Sequence, residues 1–140
     1  MSYLTAGNQV GREIVLLIHG PGVSVRSWMP QLQGLAGTLQ VLALDLPGHG
    51  ESEPIWKPSA DGFADTAHRL LEVLGTGAVW VAGHSLGGAV ALALAGADLE
   101  LRLRAGARAA FGSRQGLGTM ARLRWDAEGR HDDDGDIPER

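Results

Sequence analysis

The stretch VWVAGHSLGGAVALALAG, residues 79–96, decides the fold. It begins as a short apolar run typical of a buried strand, passes through GHSLG and continues as small apolar residues typical of a buried helix. The Gly-x-Ser-x-Gly spacing between strand and helix predicts a nucleophile elbow, a sharp turn that exposes a reactive serine. We therefore predict Ser85 as a catalytic nucleophile, held by the elbow residues Gly83, His84 and Gly87.

A glycine-rich turn between a strand and a helix can match this five-residue pattern by chance, because only three of its positions are fixed. The apolar runs on both sides favour the elbow instead. Glycine at both flanking positions lets the strand turn into the helix without side-chain collisions. The amide of Leu86, at the start of the predicted helix, is then placed to face a developing oxyanion.

Two more apolar runs, Ile14–Ile18 and Val41–Leu44, resemble the run Ala78–Ala82 before the elbow, and all three predict strands buried on both faces of a parallel sheet. The intervening segments predict helices. The first has an apolar face of Trp28, Leu32 and Leu35. The second begins at a Ser59 or Asp61 cap, ends at Gly75, and has an apolar stripe of Phe63, Ala67, Leu70, Leu71 and Leu74.

Composition limits the possible functions. The 140 residues are 44% hydrophobic and 20% charged, with a net charge of −4, which is typical of a single globular domain and not of a nucleic-acid-binding protein. The absence of cysteine excludes disulfides and thiolate zinc sites. We expect no metal, no cofactor and no nucleic-acid partner. Without a membrane-length apolar run or a signal peptide, we expect no membrane association and a cytoplasmic location.

The composition changes after residue 97. Residues 98–140 contain no valine or lysine, yet they hold eight of the 12 basic residues, all arginine. Leucines alternate with charges at Leu99–Leu103, which suits a half-exposed edge strand, and the acidic end has few apolar residues. We predict two regions: an α/β core at 1–97, and an Arg/Gly/Asp-rich, irregular or disordered tail at 98–140.

Three segments in order carry a resemblance to a known fold. HGPGVSVRSW (19–28) resembles the loop that supplies an oxyanion donor in α/β-hydrolases, and DLPGHGES (45–52) resembles the turn after the next strand of that superfamily. Together with the elbow they are similar to the amino-terminal half of an esterase-like α/β-hydrolase, over about residues 3–97. The fold class predicted is an incomplete α/β-hydrolase-type parallel sheet with flanking helices, followed by the tail.

The resemblance implies that Ser85 is the nucleophile and that Leu86 gives one oxyanion donor. The residue after His19 and Gly20 would give the other, but it is Pro21, which has no backbone N–H. Either Gly22 supplies that donor instead or this half of the oxyanion hole is weak. We expect structural roles for His19 and His49, which lie in loop motifs, and for His84, beside the serine. We also expect a structural role for Asp45, because the resembled family uses a residue at this position to brace the Pro-Gly turn that follows.

The triad order on this fold is serine, then acid, then histidine. The only histidine after Ser85 is His131, and the nearest acid before it is Asp126. Five residues are too few to reach two strand ends, so we predict a tail role for both and no recognisable triad acid or base. Removing later strands would leave the strand before Ser85 as an open edge through which the protein could self-associate.

Three hypotheses follow. The chain is a serine hydrolase of esters or related small acyl compounds through an acyl-enzyme, or a catalytically inactive remnant, or a module that binds another protein through the sheet edge. The abrupt composition change also suggests a truncated or frame-shifted gene. Reading the other frames beyond codon 97 for two buried strands, a late Asp and a late His tests that suggestion.

Overall fold

The computed structural model describes residues 1–7, 13–96 and 118–123, the last range by its backbone. The strands are β1 (Tyr3–Ala6), β2 (Ile14–Ile18), β3 (Gln40–Leu44), β4 (Val79–His84) and β5 (Gly118–Leu123). The helices are a 3₁₀ turn (Val25–Trp28), α1 (Met29–Leu35), α2 (Ala60–Leu74) and α3 (Leu86–Leu94). The predicted α/β fold class is confirmed.

The described strands form one mixed sheet in the order β1-β3-β2-β4-β5. β2 lies at its centre and runs parallel to β3 and β4, with Leu16 opposite both Leu42 and Val81. β1 pairs antiparallel with β3, and β5 pairs antiparallel with β4. Because the three parallel strands end at the same edge of the sheet, the loops that follow them lie side by side there.

The three predicted strands are present. Ile14–Ile18 has the predicted bounds, and the other two differ from prediction by no more than two residues at either end. β1 was not predicted, because three of its four residues are exposed and it contains no buried apolar run. A short edge strand of this kind is defined by its pairing with β3 and not by its own pattern.

Both faces of the sheet are covered by helices. Successive strand residues point to opposite faces, so each buried strand supplies two cores. On one face α2 and α3 pack against a cluster that includes Leu16, Ile18, Leu44, Val81 and Val90. On the other face α1 packs against a smaller cluster of Val15, Leu17, Val25, Leu32, Val41 and Ala43.

α2 begins and ends at capping residues. The Ser59 hydroxyl accepts a hydrogen bond from the Gly62 N–H at 3.1 Å, which selects Ser59 over Asp61 as the cap. Gly75 ends the helix with φ +61°, as predicted. The predicted stripe is wrong at its end, because Leu74 is 38% exposed and all three residues of the last turn face solvent.

The tail prediction needs one correction. Gly118–Leu123, inside the predicted irregular tail, forms β5 and pairs with the whole of β4, from Gly118 opposite His84 to Leu123 opposite Val79. The β4 edge expected to be open is therefore paired. The Leu99–Leu103 segment, predicted as a half-exposed edge strand, lies outside the described residues. Within the described ranges, no helix has both the length and the apolar character needed to cross a bilayer.

Two leucines at the end of α2 test the assignment of its buried face. Leu71 is 2% exposed and belongs to the larger core cluster, whereas Leu74 is 38% exposed. We expect Leu71→Ala to lower the free energy of unfolding by about 2–5 kcal/mol through cavity formation. The matched Leu74→Ala should cost less than about 1 kcal/mol. Urea denaturation followed by circular dichroism measures both, and equal losses would contradict the packing of α2.

Candidate active site

Ser85 occupies the turn between β4 and α3 in a strained backbone conformation. Its φ is +54° and its ψ is −116°. Within the described ranges, Lys57 is the only other non-glycine residue with a positive φ. Such conformations cost roughly 1–3 kcal/mol and persist only where the surrounding structure enforces them. The side chain of Ser85 is exposed, so the strain presents its hydroxyl to solvent above the sheet edge.

The two elbow glycines allow a close approach of backbones. A Cβ on Gly83 would collide with the backbone of Gly87 and Gly88. A Cβ on Gly87 would collide with the carbonyl groups of Ile18 and His19, at the end of β2. Any side chain at either position would push α3 away from the sheet, so the sequence assignment of both glycines to the elbow has a direct steric basis.

The loop after β2 lies directly against the elbow. Gly20 is buried, and a Cβ there would lie 3.1 Å from His84 Nδ1 and 3.4 Å from Ser85 Cβ. The predicted site did not include Gly20, although its position in the HGPG segment was the available signal. After Gly20 the chain turns outward, and Pro21 and Gly22 form an exposed turn in which Gly22 has φ +73°.

Within the described residues, the Ser85 hydroxyl and the Leu86 N–H have no hydrogen-bond partner. The Ser85 hydroxyl makes no capping hydrogen bond, although its carbonyl accepts from Gly88 N at 2.9 Å as α3 begins. The Leu86 N–H lies in the first turn of α3, where helix amides have no intrahelical acceptor. An exposed hydroxyl and a free amide therefore lie on adjacent residues.

His19 is buried and joins two loops. Its Nε2 accepts a hydrogen bond from the Leu46 N–H at 3.1 Å, so Nδ1 carries the proton and donates to the Gly20 carbonyl at 2.7 Å. Burial lowers the pKa of His19 below its usual value, and the ring of His49, 5.2 Å away, also lowers it. The hydrogen bond to Gly20 and the nearby Asp45 raise this pKa, but the net result is a lowered pKa, with burial as the largest single cause.

Asp45 has the bracing role expected for it. Its carboxylate is 3% exposed and accepts hydrogen bonds from Val25 N–H at 2.7 Å and from Glu51 N–H at 3.2 Å. Its carbonyl accepts from the Ser52 hydroxyl at 2.8 Å, and that hydroxyl in turn accepts from Ser2 N–H. With both carboxylate oxygens engaged by loop amides, Asp45 ties the loops after β2 and β3 together.

None of the remaining described histidines forms a hydrogen bond with the Ser85 hydroxyl. His49 Nδ1 lies 3.2 Å from the Pro47 carbonyl, a contact within its own loop. His84 is exposed, and its ring approaches Gly20. His68 lies on α2, 3.9 Å from Glu72. Asp126 and His131 lie outside the described residues.

No metal centre is formed by the described part of the chain, where no group of three or more His, Asp or Glu side chains is placed to hold an ion. An open cavity of about 380 Å³ lies beside Asp45, with Leu4, Arg26 and Met29 in its wall. Ser85 does not line that cavity, so we do not assign it to a reaction at Ser85.

Comparison with known sequences identifies the family. The profile of the Alpha/beta hydrolase family matches residues 15–138. The chain belongs to the alpha/beta hydrolase family. This alpha/beta hydrolase match confirms the resemblance carried by the three motifs and extends further along the chain than residue 97.

Relatives of this alpha/beta hydrolase have several activities. This chain is 38% identical over 97 residues to the dihydrolipoyllysine-residue acetyltransferase component of the acetoin cleaving system of Pseudomonas putida. That match covers 69% of this chain and 26% of the relative. This chain is also 42% identical over 78 residues to the 2-succinyl-6-hydroxy-2,4-cyclohexadiene-1-carboxylate synthase of Yersinia pestis. That match covers 54% of this chain and 27% of the relative. The chain thus spans about a quarter of the length of these relatives.

Solved structures give the same fold. A thermophilic esterase from Thermogutta terrifontis matches with a TM-score of 0.63 and 33% identity, over 67% of this chain and 34% of the other. An enol-lactonase from Burkholderia xenovorans matches with a TM-score of 0.64 and 25% identity, over 72% of this chain and 39% of the lactonase chain. This alpha/beta hydrolase chain therefore has esterase-like structural neighbours.

The packing of the elbow predicts opposite outcomes for one substitution at two glycines. Gly87→Ala places a Cβ against the Ile18 and His19 carbonyls, and we expect a loss of about 3 kcal/mol or more in stability, of the size produced by severe overpacking. Gly34→Ala, on the exposed side of α1 with open space around the new Cβ, should be neutral or stabilise by up to about 1 kcal/mol. Urea unfolding compares them, and tolerance of Gly87→Ala would refute the elbow geometry.

The lowered pKa of His19 predicts a loss of stability in acid. An unfolded histidine binds a proton near pH 6.5, whereas folded His19 binds one only at lower pH. The unfolded chain therefore binds more protons below about pH 6.5, so the contribution of His19 is complete above that pH and falls as the pH decreases towards the lowered pKa.

The measurement is the urea midpoint at pH 7.5, 6.5 and 5.5. The difference in stability between wild type and His19→Gln should shrink as the pH falls. His68→Gln, on the half-exposed surface of α2, is the control and should show no such decrease. A constant difference between wild type and His19→Gln across this range would contradict the buried neutral histidine.

Proposed function

We propose that this alpha/beta hydrolase is a serine hydrolase of carboxylic esters or closely related acyl compounds, with Ser85 as nucleophile. The observation that carries the proposal is the strained, exposed Ser85 with the free Leu86 N–H beside it. A nucleophile and an oxyanion donor on adjacent residues are the first requirements of acyl transfer.

The reaction begins when Ser85 Oγ attacks the acyl carbonyl carbon. A C–O bond forms, the π electrons of the carbonyl move to its oxygen, and the hydroxyl proton passes to a general base of the imidazole class. The Leu86 amide hydrogen-bonds the new oxyanion. The base then returns the proton to the leaving oxygen as the carbonyl re-forms and the C–O bond to the alcohol breaks. The neutral alcohol departs and leaves an ester on Ser85, which water hydrolyses by the same steps.

The solved neighbours support the substrate class. One is named an esterase and another an enol-lactonase, and both names describe cleavage of an acyl–oxygen bond. The chain covers 34% of the esterase structure and 39% of the enol-lactonase structure. The substrate proposed is therefore a small acyl compound, with no cofactor.

A second candidate is a protein that keeps this scaffold without catalysis. It is favoured by one observation: among the described side chains, neither a histidine nor a carboxylate hydrogen-bonds the Ser85 hydroxyl. A serine without a base is a weak nucleophile at neutral pH. The two candidates therefore differ in the reactivity of one hydroxyl.

Fluorophosphonate labelling distinguishes them. We expect covalent labelling of wild type at Ser85, with release of nitrophenol from short-chain nitrophenyl esters, and loss of both signals in Ser85→Ala. Ser59→Ala is the matched control, because Ser59 also precedes a helix but has an ordinary extended backbone, φ −150°. It should label like wild type and lose about 1 kcal/mol of stability with its cap. Absence of labelling in folded wild-type protein would favour the inactive scaffold.

A further inference from the structure

We propose that His84 is the general base for Ser85 and acts on its hydroxyl through no more than one water molecule. The inference rests on the proposed function, because Ser85 needs a base only when its hydroxyl attacks a substrate. The hydrogen bond between a base and its nucleophile often forms only in the substrate complex. Nearness of the two side chains is therefore the first criterion.

The His84 ring and the Ser85 side chain lie over the same buried glycine. A Cβ on Gly20 would be 3.1 Å from His84 Nδ1 and 3.4 Å from Ser85 Cβ. The distance between Nδ1 and Ser85 Cβ therefore cannot exceed these two lengths combined. Both side chains are exposed, so rotation of the serine about its one side-chain torsion can bring Oγ within reach of Nδ1 or of a water bound to Nδ1.

The other described histidines are engaged elsewhere. His19 uses both of its ring nitrogens in buried hydrogen bonds. His49 contacts a carbonyl of its own loop, and His68 lies on the surface of α2. The His84 ring is exposed and forms no hydrogen bond within the described part of the chain. Its Nδ1 is therefore available to accept a proton.

Glycines leave the His84 ring room to turn towards Ser85. Gly118 lies directly opposite His84 in the pairing of β4 with β5, so the neighbouring strand has no side chain at that register. Gly20 has no side chain beneath the ring. In the neutral tautomer that carries its proton on Nε2, Nδ1 has a free lone pair. An imidazole in this position can serve an attacking hydroxyl.

Proton transfer through His84 completes both halves of the proposed reaction. As a lone pair of Ser85 Oγ forms the new C–O bond, the Oγ proton passes to Nδ1, or to a bridging water that gives Nδ1 one of its own protons. The intermediate then collapses, and the Nδ1 proton goes to the oxygen of the departing alcohol. A water bound to Nδ1 attacks the acyl carbon in the same way and returns the Ser85 hydroxyl.

The rate of fluorophosphonate labelling tests this role in the full chain. The Asn side chain in His84→Asn keeps a hydrogen-bonding atom near the position of Nδ1 but has no base, so a structural contact of Nδ1 is retained and proton transfer is lost. We expect the labelling rate of Ser85 to fall about 100-fold or more. His68→Asn is the matched control and should label like wild type. A His84→Asn protein that labels at the wild-type rate overturns the inference.

Rescue by a soluble base gives an independent decision. Imidazole added to His84→Ala should increase the labelling rate in proportion to its concentration, because it can enter the space that the side chain has left. Pyrazole, a ring of the same size that is barely basic at neutral pH, is the control and should have no effect. Equal acceleration by both rings would show that the His84 ring only fills space, and no acceleration by imidazole also contradicts the base.

The outcomes separate this inference from the proposed function. Wild-type protein that labels at Ser85, with no effect of His84→Asn, refutes the assignment of His84 alone. Folded wild-type protein that does not label refutes the serine hydrolase proposal and the base together. Because His84 is exposed, both variants should keep the urea midpoint of wild type, which shows that their rates were measured on folded protein.

Discussion

Backbone contact at Gly87 is the constraint on which the rest of the site depends. The carbonyls of Ile18 and His19 occupy the space where a Gly87 side chain would begin, and the backbone at Gly87 occupies the corresponding space at Gly83. β2, β4 and α3 therefore meet at a distance that only glycine permits. That approach bends the chain at Ser85, and α3 begins at the next residue, Leu86.

The loops beside the elbow are fixed by buried polar groups. The Asp45 carboxylate accepts hydrogen bonds from backbone amides in the loops after β2 and β3. His19 donates to the Gly20 carbonyl and accepts from the Leu46 amide. Each net contribution is modest, about 0.5–1.5 kcal/mol, but removing one partner would leave the other buried without a bond at a greater cost. Because a Cβ on Gly20 would lie only 3.4 Å from Ser85 Cβ, this network also sets the position of the loop next to Ser85.

Sequence reasoning was most accurate where a residue pattern depends on local physics. An unbroken aliphatic run such as Ile14–Ile18 can only be buried on both faces, and Ser59 and Gly75 carry the backbone chemistry of helix ends. The two glycines of the Gly-x-Ser-x-Gly motif likewise lie where a Cβ would collide with neighbouring backbone. Edge elements were less predictable, because β1 and β5 are defined by the strands they pair with. Leu74 has the period of a buried face but lies in a final turn with too few neighbours to cover it.

The strain at Ser85 shows which parts of the proposed chemistry the fold already provides. A conformation costing roughly 1–3 kcal/mol is held beside a core in which each fully buried side chain such as Ile18 or Val81 contributes about 1.5–3 kcal/mol. The packing can therefore maintain the elbow with nothing bound to the hydroxyl. The exposure and the backbone conformation of Ser85 are properties of the sheet and of two glycines, independent of any base. The proposed hydrolysis also requires a general base within hydrogen-bond reach of Ser85 Oγ.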